Sequence, residues 1–116
     1  MTVKECYEAA GEDYAAVEAR FGSADMVRYF CGRFRKDPSF AELTAAMEVG
    51  DAGAAFRAAH TLKGVCLNLG FTQLGSAASD LTERLRSGSL AGTDEDFARV
   101  AADYQKICDS LDRMET

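Results

Sequence analysis

The chain has 116 residues, 47% of them hydrophobic, and a net charge of −6 from 19 acidic and 13 basic side chains. That length supports one compact core, and the acidic surplus argues against nucleic acid as a partner, because phosphate backbones are gripped by clustered Lys and Arg. No stretch approaches the roughly 20 apolar residues that cross a bilayer, and the opening "MTVKECYEAAGEDY" lacks the basic-then-apolar order of a signal peptide, so a cytoplasmic location without membrane contact is expected.

Ala, Leu, Glu, Arg and Met are abundant, there is one proline, and no alternating apolar and polar run marks a strand, so the fold class is all-α. Short helical patterns over about residues 3–10 and 12–20 are separated by Gly11 and end at "FGSAD", where Gly22 and Ser23 read as a stop followed by an N-cap. Residues 1–22 are therefore expected to form an N-terminal helical cap on a bundle of residues 23–116, the whole being a single domain. From Ala24 the helical pattern runs to about Val49. Val27, Phe30 and Phe34 share one face, whereas Phe40, Leu43 and Met47 share a face turned by about a quarter to a third of a revolution. Pro38 lies between the two groups, and the phase change follows whether that proline kinks one long helix or splits it in two.

"VGDAG" at residues 49–53 is a tight connection to a helix that reaches about Asn68 and is stopped by Gly70. The next helix carries one apolar stripe of Phe71, Leu74, Ala78, Leu81 and Leu85. After the loop in "SGSLAGTDED", Thr93 or Asp94 is expected to cap a last helix with the stripe Phe97, Val100, Ala101, Tyr104, Ile107, Cys108 and Leu111. Short links favour antiparallel neighbours, so the expected architecture is an antiparallel up-down four-helix bundle with short N-terminal helices. Cys6, Cys31, Cys66 and Cys108 are widely spaced, without a CxxC pair or a second histidine, and are read as reduced, three of them at apolar helix positions; no metal site is expected.

The single histidine, His60, stands in "AAHTLKGVCLNLG", residues 58–70. At about 100° per residue, Ala55, Ala58, Ala59, Leu62, Val65, Cys66 and Leu69 gather on one side of this helix. His60 falls nearly opposite, together with Lys63, Gly64 and Leu67, with Arg57 a turn earlier and Phe56 at the edge. A solvent-facing imidazole, which titrates near about 6.5 and is largely neutral at cytoplasmic pH, presents a nitrogen lone pair that attacks phosphorus without a strong base beside it. Lys63 is placed to stabilise the charge of the product, and Gly64 clears the next turn for an approaching partner. A glycine inside a helix costs about 1 kcal/mol relative to Ala, and clearance around His60 is a physical reason to carry that cost. Phe56 and Leu67 either add apolar surface that a folded partner would cover or are a residue packing at the bundle margin and an incidental exposed leucine, and Arg57 stands on the same outer surface as a partner-binding candidate.

"HTLKGVCLNLG" resembles the signature of histidine phosphotransfer (HPt) domains of two-component phosphorelays, with His60, Thr61, Leu62, Lys63, Gly64, Leu69 and Gly70 fitting in order. "FRAAH", residues 56–60, is similar to the phosphotransfer domain of chemotaxis histidine kinases, and "RFG", residues 20–22, to other modules of the family; the resemblance covers about residues 12–87. It implies a four-helix bundle whose histidine, here His60, takes a phosphoryl group from a receiver-domain aspartate or a kinase and hands it to a response-regulator aspartate. It also implies that Lys63 stabilises the phosphoryl charge, that Gly64 lets the receiver dock, and that Mg²⁺ belongs to the partner receiver, leaving this chain without a cofactor of its own. In several members a Gln on the following helix hydrogen-bonds the histidine; ungapped counting puts that position at Thr82, a shorter residue that would act through water.

Two other classes are weighed against this expectation. A bundle that binds receivers or other signalling proteins without carrying phosphate would be indifferent to loss of His60. A metal or haem bundle is disfavoured by Cys66 facing away from His60 and by the lack of ExxH pairs. Autonomous kinase activity is not expected, because no Gly-rich phosphate loop occurs, and the start at Met1 without a linker-like composition is what a separate protein would show.

Overall fold

Seven α-helices make up the regular structure of residues 1–114, the part of the chain that the computed structural model describes. They are α1 (Val3–Ala9), α2 (Tyr14–Phe21), α3 (Ala24–Arg35), α4 (Ser39–Val49), α5 (Ala52–Asn68), α6 (Thr72–Leu85) and α7 (Asp94–Asp112). Short polar side chains start four of them. Thr2 and Glu5 form a reciprocal capping box on α1, while Asp13, Ser23 and Asp51 accept the orphan amides of Ala16, Met26 and Ala54.

Pro38 splits the long helical pattern rather than kinking it: α3 ends at Arg35 and α4 begins at Ser39. The ring removes one amide donor and crowds the preceding turn, and the Asp37 side chain receives the Ser39 amide at 2.8 Å where the new helix starts. Thr93 differs from expectation in another way. It holds the N-cap position of α7 but makes no side-chain cap, because its backbone is helical (φ −98°, ψ −4°) and its hydroxyl donates to the Leu90 carbonyl at 2.6 Å. Asp94, Glu95 and Asp96 in the first turn complement the positive end of the helix instead.

The end-to-end pair α3–α4 forms one column of the bundle, and α5, α6 and α7 form the others, each antiparallel to its sequence neighbour. The α3 half lies along the C-terminal part of α5, where Tyr29 and Phe34 share a groove with Val65 and Leu69. The α4 half lies along the N-terminal part, where Ala45 and Ala46 share a groove with Ala54 and Ala58. Phe34 packs edge-on against Phe71, and Phe40 stacks on Tyr104 with centroids 4.1 Å apart, so the aromatic residues of the broken column close the bundle onto α6 and α7. Leu43, Leu62, Leu74, Leu81, Leu85 and Val100 are buried at its centre.

Helices α1 and α2 close one end and share the same core, with Val3, Tyr7, Tyr14 and Val17 buried. They hold the α5–α6 turn from several directions. Arg20 donates to the carbonyls of Leu67 and Asn68, the Tyr7 hydroxyl donates to the Leu69 carbonyl at 2.6 Å, and Gln73 donates to the Ala10 carbonyl at 3.1 Å. Glu12 accepts both the amide and the hydroxyl of Thr72, the first residue of α6. At the turn itself Gly70 has φ +77° and its missing side chain leaves room for Val17. The carbonyls at the end of α5 and the amide at the start of α6, which the helices themselves leave unpaired, are thus met by the N-terminal segment.

Candidate functional site

The sequence of α5 divides its circumference cleanly. Ala55, Ala58, Ala59, Leu62 and Cys66 are buried against the bundle, and small residues at the first three positions let the neighbouring helices approach closely. His60 is exposed on the opposite side. Gly64 is exposed a turn further on, and a Cβ added there would meet no atom within 4 Å. Lys63 is half-buried between them. Arg57 is exposed a turn before, its carbonyl accepting the Thr61 hydroxyl at 3.0 Å. The imidazole, the ammonium and bare backbone therefore occupy one accessible strip.

The apolar flank is more structured than a helical projection shows. Phe56 is half-buried, with its ring stacked toward that of His60 at a centroid separation of 6.1 Å and an interplanar angle of 17°. Leu67 is 42% exposed yet seated: a Cβ at Gly75 would lie 2.6 Å from its Cδ2 atom, so the glycine of α6 makes the seat for the leucine of α5. The buried residues are chemically quiet. Burial pushes the Cys66 thiol up to about 12 and that of Cys31 up to about 11, so both are protonated and lie inside while His60 lies outside.

Thr82 makes no direct hydrogen bond to His60. It is fully buried, and its hydroxyl donates to the Ala78 carbonyl at 2.6 Å within its own helix, an ordinary fate for a threonine facing a helical core. No hydrogen bond or ion pair reaches the His60 side chain among the described residues. The neighbours missed in the sequence are Glu83 and Arg86, at the end of α6. Arg86 grips Glu83 as a two-pronged fork, both contacts at 3.0 Å, and its guanidinium carbon lies 5.2 Å from the Phe56 centroid. The Arg86 hydrogen bonds and charge hold the Glu83 carboxyl below the usual carboxylate range; the nearby Lys63 and His60 act in the same direction more weakly. In the sequence these two residues belong to "TERLRS", a run of charges before a loop that reads as solvated surface.

His60 is exposed and nothing stands within 4 Å of a Cβ added at Gly64, so the strip is open to solvent. Among the described residues no helix is long and apolar enough to cross a membrane. No curated protein and no solved structure matches the chain. The model of the Hpt domain family matches residues 25–114, a span that takes in the whole of α5 with His60 and the helices that support it, and the chain belongs to that family.

Proposed function

We propose that His60 is a phosphoryl acceptor, taking the group from the aspartyl phosphate of a receiver domain, or from a kinase, and passing it to a response-regulator aspartate. Hpt domains are phosphotransfer modules of two-component systems that interact with receiver domains, and this reading assigns the individual roles within one of them. The observation that carries it is the exposed His60, with Lys63 beside it and open space over Gly64.

In the transfer a lone pair on an imidazole nitrogen attacks phosphorus in line with the bond to the aspartyl oxygen. The N–P bond forms as the P–O bond breaks, the carboxylate leaves with the electron pair, and the other ring nitrogen keeps its proton. The Lys63 ammonium, one turn away, offsets charge on the phosphoryl oxygens. Gly64 admits the rim of the receiver's active site, and Phe56, Leu67 and Arg57 form the surrounding contact surface. Mg²⁺ would belong to the receiver and would supply positive charge there, while this chain contributes the nucleophilic ring, the Lys63 ammonium and the clearance over Gly64. The reverse step runs through the same geometry, which suits a carrier.

The test is incubation with a phosphorylated receiver domain, following acid-labile, base-stable label on this chain. The wild-type protein is expected to acquire label that His60→Gln does not, with both proteins giving the same helical circular dichroism. Equal labelling of the variant, or partner control that survives it unchanged, refutes the assignment.

A further inference from the structure

The His60 ring is not held by Thr82 on the following helix. Its ring has no hydrogen-bond partner among the described residues, and Thr82 spends its hydroxyl proton on Ala78. A ring on an exposed helix face without such a bond is free to rotate about its side-chain torsions. What it does have is an aromatic neighbour one turn back, the Phe56 ring at 6.1 Å and 17°. Phe56 is in turn engaged by a cation from another helix, because the Arg86 guanidinium carbon sits 5.2 Å from its centroid, within the range at which a cation is attracted to the ring face. Arg86 is exposed, but it is tethered at two points: Nε and Nη2 donate to the two oxygens of Glu83 at 3.0 Å each, a fork that restricts the plane of the guanidinium.

We propose that Arg86 is a positioning residue for His60, acting from α6 through the Phe56 ring. The Glu83 fork fixes Arg86, Arg86 holds Phe56, and Phe56 limits the rotation of the imidazole, so that its attacking nitrogen faces the incoming phosphorus more of the time. Arg86 has a second effect in the same place, since it neutralises a carboxylate that would otherwise repel a phosphoryl group. The consequence for transfer rests on His60 being the acceptor; the orientation of the ring does not.

Because His60 is the only histidine, its two carbon-bound ring protons give one assignable pair of nuclear magnetic resonance signals, shifted by the Phe56 ring current. In the unphosphorylated protein, Phe56→Leu is expected to move both signals, and Arg86→Ala to move them part of the way in the same direction. Arg86→Lys, which keeps the charge but not the planar fork, is expected to resemble Arg86→Ala. Transfer from a phosphorylated receiver is expected to slow by about tenfold in Arg86→Ala, less than the roughly hundredfold that a full 1 Å misplacement costs. The double variant Glu83→Gln/Arg86→Ala removes the unpaired carboxylate without restoring the stack, and its transfer is expected to stay slow. His60 signals that move in Phe56→Leu but stay at their wild-type positions in Arg86→Ala overturn the proposal, as does full recovery of transfer in the double variant. If the wild-type protein takes no label at all, the carrier reading fails while the resonance shifts still decide whether Arg86 positions the ring.

Discussion

Gly64→Ala separates what the fold wants from what the site wants. Gly64 lies inside α5, it is exposed, and an added methyl group meets nothing within 4 Å. The substitution therefore carries no steric cost, and it gains the full difference in helix propensity, about 1 kcal/mol. For a chain of this size that raises the melting temperature by about 4 °C. Gly64→Gln gains nearly as much, since its propensity is close to that of alanine, but it raises a long side chain beside the imidazole. Stability should thus rise by a similar amount in both variants, while transfer from a phosphorylated receiver falls a few-fold in the first and far more steeply in the second. Urea and thermal melts followed by circular dichroism give the first quantity, and the initial rate of labelling gives the second. A lower melting temperature for Gly64→Ala would show that the space over this residue is not open. A glutamine variant that transfers at the wild-type rate would sink the argument that clearance is why glycine is present.

Lys63→Ala is expected to slow labelling and shorten the lifetime of the phosphorylated protein by about tenfold, the equivalent of about 1.4 kcal/mol, with Lys63→Arg recovering part of it; an unchanged lifetime argues that the ammonium does not meet the phosphoryl group. Gly70→Ala should destabilise the fold by about 2–5 kcal/mol, measured by urea unfolding, because it forces a side chain into a left-handed backbone (φ +77°) and against Val17; a midpoint near wild type refutes the tight approach of α2. The Cys66 thiol predicts an alkaline weakness. Its pKa is raised by burial from about 9 to about 12, so below pH 9 both states are protonated and its contribution is complete. As pH climbs from 9 toward 12 the unfolded chain releases the proton and the folded one does not, and up to about 4 kcal/mol is lost. Cys66→Ala should therefore lose stability less steeply between pH 8 and 10.5 than the wild-type protein, and parallel slopes would contradict the assignment.

The face of α5 was legible because burial on one side of a helix imposes a strict period, and the small residues Ala55, Ala58 and Ala59 fall on it without exception. The same period placed the stripes of α6 and α7. The behaviour of Pro38 was not legible, since a kink and a break produce the same rotation of the apolar face; the Asp37 side chain that receives Ser39 favours the break, and that is a local contact no periodicity reports. Counting along a helix fixes the position of Thr82 but not whether its hydroxyl turns outward or, as here, back to its own backbone. Glu83 and Arg86 are not legible in the sequence for a related reason: Arg86 reaches Phe56 across thirty positions of chain, and nothing in a run of surface charges shows which one bends over an aromatic ring.

The hold of α1 and α2 on the α5–α6 turn bears on where this protein can be cut. A fragment starting at Asp25 would keep α5 yet lose Tyr7, Glu12, Val17 and Arg20, stranding the Leu69 carbonyl and the Thr72 amide and uncovering the Phe71 ring. Such a piece would bring a sticky, half-wetted end into solution. Excision for biosensors or chimeric relays should therefore respect the first helical pair, even though the chemistry it protects lies several turns away.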